Sequence, residues 1–163
     1  MKNSFYWFGS VVYLWVVGVA IGAIVACGIF VAPVIFKAHS FLPSLDVTQY
    51  DLGILMAQVF LRLNVFLNFA GIVIVVYEIL ALFAKAHLLS LIINAVNAVL
   101  IFLFTLYYTP KIIQAQGASA TATPEFASLH TQSEWVFKIL LISLSIGFVY
   151  RVFCVSKTAK GWQ

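Results

Sequence analysis

The sequence predicts an all-α integral membrane bundle of four transmembrane helices, with a short amphipathic segment between helices 1 and 2. Three observations predict it. Of 163 residues, 64% are hydrophobic and 9% are charged, whereas a soluble domain carries roughly 45–50% apolar and about 25% charged residues. A fold of this size cannot hide that much apolar surface from water, which excludes a soluble globular protein. Aromatic residues make up 16% of the chain, the opposite of a disordered composition. The third observation is continuity. The apolar residues run in four stretches, each long enough for a helix to cross a hydrocarbon core of roughly 30 Å. Unbroken runs, rather than short alternating ones, count against a β-barrel.

Taken in order, the expected spans are about Ser10–Pro33, Leu63–Phe83, Leu88–Tyr108 and Trp135–Val155, within one domain over residues 1–163. No charge falls between Lys2 and Lys37, so the first span is long and tilted. Val25-Ala26-Cys27-Gly28 resembles a lipidation site, but the apolar run continues to Phe36, well beyond a signal core of 7–15 residues. An uncut first helix is the better reading. Residues 37–61 open with Pro43, Asp46 and Asp51 and then read as a short helix entering the second span. A tight turn at Ala84–His87 makes spans two and three an antiparallel hairpin. Thr123-Pro124-Glu125 supplies a hydroxyl cap, a first-turn proline and a first-turn acid, so a helix runs from there into the fourth span. Trp7, Tyr107, Tyr108 and Trp135 fall near span ends, where amphipathic rings prefer the headgroup level.

Two small-residue patterns mark packing faces. Gly18-x-x-x-Gly22, followed by Ala26, allows a close approach inside the bundle, and Ser143, Gly147, Tyr150 and Cys154 form the expected inward side of span four. Ala32-Pro33-Val34-Ile35-Phe36-Lys37-Ala38 also echoes Thr109-Pro110-Lys111-Ile112-Ile113-Gln114-Ala115. That echo reads as prolines ending membrane helices, with a duplicated helical hairpin as the alternative.

The basic residues stand singly at span ends, which excludes a nucleic-acid partner. Lys2, Lys85, Arg151, Lys157 and Lys160 fall on one side and Lys37, Arg62, Lys111 and Lys138 on the other. The C-terminal cluster places both termini in the cytoplasm and the protein in the cell (inner) membrane. Cys27 and Cys154 show no CxxC or zinc spacing and read as packing residues.

Polar groups inside apolar helices carry the functional information, because lipid offers them no partners. Asn64, Asn68, Gly71, Val75 and Glu78 share one face of span two; His87, Ser90, Asn94, Asn97 and Ile101 share one face of span three. Folding the hairpin about residue 86 brings Glu78 opposite Asn94, about 12 Å from the turn. As interhelical glue these bonds contribute about 0.6 kcal/mol each. The sharper reading makes Asn64, Asn68, Glu78, Asn94 and Asn97 a polar path or pocket for a metal ion or small solute; against it, Glu78 lies near the inner interface, where it can reach water or pair with Lys85, and glue is the better reading of the stripe. On the other side, His39, His130, Ser133 and Glu134 are candidate ligands for a metal or haem, while a surface ladder of His130, Glu134 and Lys138 explains them equally well. No nucleophile elbow, Walker loop, HExxH or dinucleotide fingerprint occurs, so nothing argues for an enzyme.

Ala32-Pro33-Val34-Ile35-Phe36, Pro110 and Phe126-Ala-Ser-Leu-His130-Thr-Gln-Ser133 resemble the transmembrane protein 205-like domain, a four-helix membrane domain of unassigned biochemical function. That family is distantly similar to copper-resistance D-type proteins and membrane protoporphyrinogen oxidases, which bind metal or haem through helix histidines. The spans here carry no central histidine; His130 and Ser133 are what the resemblance carries over, as structural or ligand residues. The leading expectation is a non-catalytic multi-pass protein that handles a metal ion or small solute. The alternatives are a metal- or haem-binding redox protein and a structural subunit of a membrane complex. The cofactor is unknown, and the expected partners are the lipid bilayer, the solute and further copies or subunits.

Overall fold

The computed structural model describes the backbone of residues 2–83 and 88–160, with side chains over 7–83 and 88–157. Within lipid, a backbone run satisfies its own polar groups only as a helix or a closed barrel, and all four expected runs are helical. The first span comprises α1 (Lys2–Val25), a π-helical segment π1 (Ala26–Val31) and α2 (Ala32–Phe36). A single turn, α3 (Ala38–Phe41), follows. The second span is α4 (Gln49–Phe83); the third comprises α5 (Leu88–Phe102), π2 (Leu103–Tyr108) and α6 (Thr109–Gly117). The fourth is α7 (Pro124–Lys160). No strand occurs among the described residues. The chain is a multi-pass membrane protein by the length and apolarity of four columns, Trp7–Phe36, Gln49–Phe83, Leu88–Gly117 and Pro124–Lys157.

The helices outrun the expected spans because their starts are set by caps rather than by hydropathy. Thr48 and Asp51 form a reciprocal cap: the Asp51 N–H donates to Thr48 Oγ1 at 3.2 Å, and the Thr48 N–H donates to Asp51 Oδ2 at 2.8 Å. The amphipathic segment expected before span two is therefore the first turns of α4 itself. At α7, Thr123 Oγ1 accepts the Phe126 N–H at 3.2 Å, the cap expected from Thr123-Pro124-Glu125. The Ala84–His87 turn, with Lys85 and His87, lies outside the described residues.

Each span packs on the next, and the fourth closes the ring against the first. Tyr13, Val17 and Ile24 meet Leu67, Ile74, Ile101, Leu140 and Leu144 in the core. Outward, Trp7, Trp15, Val65, Phe83, Leu88 and Trp135 are all more than half exposed. In water such a surface would aggregate; acyl tails cover it.

Several expected faces turn out rotated. Gly18 packs on the Phe148 ring, but a Cβ at Gly22 would meet nothing within 4 Å, so the glycine seam is only half used. The seam of α1 is Tyr13, Val17, Ala20 and Ile24 instead. In α7 the buried line is Leu140, Leu144, Gly147 and Arg151, and Ser143, Tyr150 and Cys154 flank it half-buried. Val75 points outward, off the polar face expected of span two. Tyr107 is exposed as expected, while Tyr108 turns inward and donates to Gln132 Oε1 at 3.2 Å.

The proline echo extends well beyond the prolines. Pro33 and Pro110 each follow a six-residue π-helical segment, and each is the second residue of the short helix that follows. Proline lacks the N–H that an α-helix needs and crowds the carbonyl four residues back. A wider turn relieves that crowding: the Ala32 N–H bonds Cys27 O and the Thr109 N–H bonds Phe104 O, five residues back in both cases. The offset that carries Pro33 onto Pro110 also carries the buried residues Tyr13, Val17, Ala20 and Ile24 onto buried Ser90, Asn94, Asn97 and Ile101. One backbone plan is used twice.

Candidate functional site

At the end of the bundle where α4 ends and α5 begins, all four spans contribute to one buried polar cluster. Glu78 of α4 and Arg151 of α7 are 4% and 3% exposed and form an ion pair through Oε1 and Nη2. From α5, Asn94 Nδ2 donates to the same Glu78 oxygen at 2.6 Å and the Ser90 hydroxyl donates to it at 3.2 Å. Arg151 Nη2 also donates to Ser90 Oγ. Tyr13 of α1 donates to Asn94 Oδ1 at 2.8 Å, and Tyr77 and Ser10 share a hydrogen bond of 2.7 Å. The Tyr13 and Tyr77 rings stack at 4.5 Å, and the guanidinium carbon of Arg151 lies 4.8 Å from the Tyr77 centroid and 5.5 Å from that of Tyr13. The cation thus has a carboxylate, a hydroxyl and two π faces around it, as a desolvated charge requires.

The expected pairing of Glu78 with Asn94 is present, and the ion-pair partner is Arg151. Counting Arg151 among the flanking charges missed it: a charge eleven residues beyond Leu140 on the same helix reads as a tail residue unless its seam position is noted. With Arg151 paired inside, the basic residues left to argue orientation number four in each of the two sets given by the sequence.

The stripe is not a continuous path. Glu78, Asn94 and Asn97 lie inside the bundle, with Asn97 Nδ2 donating to Asn94 Oδ1 at 3.3 Å. Asn64 and Asn68 lie on the lipid-facing seam between the second and third spans, where Thr105 donates to Asn68 Oδ1 at 2.6 Å. Ten residues of helix, about 15 Å, separate Asn68 from Glu78. Gly71 closes that interval by letting Ile101 and Phe102 within about 3.2 Å of where its Cβ would be. Leu67, Ile74, Ile101, Leu140 and Leu144 fill the interior at this level.

Beyond this apolar layer, at the opposite end, the four spans part around a cavity of about 640 Å³. Ligand sites typically have about 300–1,000 Å³ and mainly apolar walls with a few polar groups. Here Phe36, Phe60, Phe104, Phe126 and Phe137 furnish aromatic wall, and Gln116, His130, Ser133, Glu134 and Lys138 a polar edge. Both proline-bearing segments line it, through Ala32 and Phe36 of α2 and Thr109 and Ile113 of α6. Phe60, Phe104 and Phe137 pack edge-on or tilted, with centroids 4.9–5.7 Å apart.

The candidate outer ligands separate. Glu134 stands between His130, at 3.3 Å, and Lys138, at 3.2 Å, all about half exposed, which is the ladder that i, i+4 spacing predicts. Ser133 is buried, and its hydroxyl donates to His130 O at 2.7 Å. His39 is exposed on α3 and is not part of the cavity wall. Among the described residues no three His, Cys, Asp or Glu side chains cluster to hold a metal ion. The cavity itself left no mark in the sequence, since no motif encodes a space; the proline echo was the one available pointer to its walls.

Residues 15–121 match a family described as a domain of unknown function (DUF4149). The match takes in Ala32–Phe36 and Pro110 and ends before the Leu129-His130-Thr131-Gln132-Ser133 element. No curated protein and no solved structure matches the chain. Covering the first span from Trp15 onward, the second and third spans in full, both proline-bearing segments and Glu78 and Asn94, the match makes this chain a member of the DUF4149 family.

Proposed function

We propose that this is a binding protein for an amphiphilic small molecule, held in the cavity with its apolar body against the phenylalanines and its polar end toward Gln116, His130 and Lys138. The observation that carries this reading is the shape of the interior. One half of the bundle is closed by a charged clasp and an apolar layer, and the other opens into about 640 Å³ bounded by all four spans. A dry layer between the two favours holding a molecule at one end over conducting an ion from end to end. The Lys157 and Lys160 cluster supports an orientation with both termini in the cytoplasm, in the cell (inner) membrane.

The test is the molecule that comes with the protein. Chain purified in mild detergent is extracted with solvent, and small molecules other than bulk phospholipid are counted by mass spectrometry. One amphiphile per chain is expected, and loss of it in Ala57→Phe, which fills the cavity from its wall. Wild-type protein without a stoichiometric amphiphile, or a folded Ala57→Phe that keeps it, overturns the reading.

A further inference from the structure

The lipid-facing seam between α4 and α6 holds a second, separate space. It is a groove of about 500 Å³ whose wall includes Leu61, Asn64, Asn68, Thr105, Pro110 and Ile113. Asn64 is 5% exposed, and its Oδ1 is a buried acceptor with no hydrogen-bond partner among the described residues. Its neighbour Asn68 is satisfied by the Thr105 hydroxyl. A buried carbonyl left without a donor costs about 1–3 kcal/mol, so the groove is incomplete as it stands and lacks a donor specifically. Arg62 and Lys111 lie at the same level of the two helices, both exposed, with Lys111 3.0 Å from the Tyr107 hydroxyl. Basic and tyrosine side chains at span ends mark the headgroup boundary, which puts the Asn64 carbonyl within reach of a headgroup and the Leu61 and Ile113 side chains beside acyl chain.

We propose that this groove is a phospholipid site that selects headgroups bearing an N–H or O–H donor, with Asn64 Oδ1 as the acceptor. Phosphatidylethanolamine and phosphatidylglycerol carry such donors; phosphatidylcholine has the same tails and phosphate and none. The selection depends on one hydrogen bond, so a preference of about five-fold over phosphatidylcholine is expected.

The full chain is reconstituted in nanodiscs holding the three lipids in equal amounts, and retained lipid is counted by native mass spectrometry. Wild type is expected to retain phosphatidylethanolamine about five-fold over phosphatidylcholine, which matches it in net charge, and Asn64→Leu to retain these two alike; phosphatidylglycerol reads the added pull of Arg62 and Lys111 on an anionic headgroup. Thr105→Val frees the Asn68 carbonyl as a second acceptor and keeps or raises the preference. Melting temperatures of both variants, taken alongside, show that they are folded. Equal retention in wild type, an unchanged preference in folded Asn64→Leu, or loss of preference in folded Thr105→Val overturns the site. Should Asn64→Leu fail to fold, wild type against Thr105→Val decides alone.

Discussion

Replacing Glu78 by glutamine tests the clasp most directly, because it keeps the shape of the side chain and removes its charge. Glu78 Oε1 accepts from Ser90, Asn94 and Arg151, three donors from two other helices. Were these ordinary membrane hydrogen bonds, each would be worth about 0.6 kcal/mol and the glutamine would retain most of them. The charge changes the magnitude. Removing one partner of a buried pair strands the other ion in low dielectric and costs about 3–5 kcal/mol. Arg151 keeps the Tyr77 and Tyr13 faces at 4.8 and 5.5 Å, and a desolvated cation–π contact is worth about 2 kcal/mol. The expected loss is therefore at the low end, about 3 kcal/mol. Glu78→Gln combined with Arg151→Met removes the stranded charge and recovers more than half of it. Detergent-unfolding curves in mixed micelles read wild type and both variants. A Glu78→Gln loss under about 1 kcal/mol, or a double variant weaker than the single one, would refute the ion-pair account.

Other expectations follow from the packing. Gly147→Val drives a side chain into Asn97 Nδ2 at 3.0 Å and Asn94 Oδ1 at 3.3 Å and destabilises the bundle by about 1–3 kcal/mol in the same assay. Gly22→Ala, with nothing within 4 Å, stabilises it by about 0.5–1 kcal/mol because alanine is the better helix residue; a loss there would show a contact at that face. Asp51→Ala opens the reciprocal cap with Thr48 and costs about 1 kcal/mol, seen as faster amide exchange in the first turn of α4. His130→Ala removes an exposed contact to Glu134 and shifts stability by less than about 0.5 kcal/mol; a larger shift would give the ladder a structural role.

How much of this was legible depended on whether each feature is a pattern or a place. Ser90, Asn94 and Asn97 could be put on one face because polar side chains at helical spacing stand out against apolar neighbours. Their meeting with Glu78 followed from equal distance to a turn. Arg151 escaped because it lies close to Lys157 and Lys160, where hydropathy reads any cation as a flank; only the seam Leu140, Leu144, Gly147 marks it as interior. Tyr13 and Tyr77 escaped for the converse reason, counting as apolar while bringing hydroxyls to the cluster. Asn64 and Asn68 were put on the same face as Glu78, yet the seam they line looks outward, since a long helix turns its stripe relative to its neighbours. The cavity and the π-helical segments are tertiary outcomes. The prolines announce a local difficulty without saying that the chain answers it by widening a turn.

That widening has a mechanical consequence for the cavity wall. Each π-helical turn stores a surplus residue, and returning it to α geometry would swing the following short helix by about 100° and move it about 1.5 Å along its axis. Phe36 and Ile113 hang on those two short helices and face the same space. The cavity therefore has two walls, each mounted on a ratchet one notch deep, and a single click on either side would swing a bulky side chain round while the clasp at the far end stays locked.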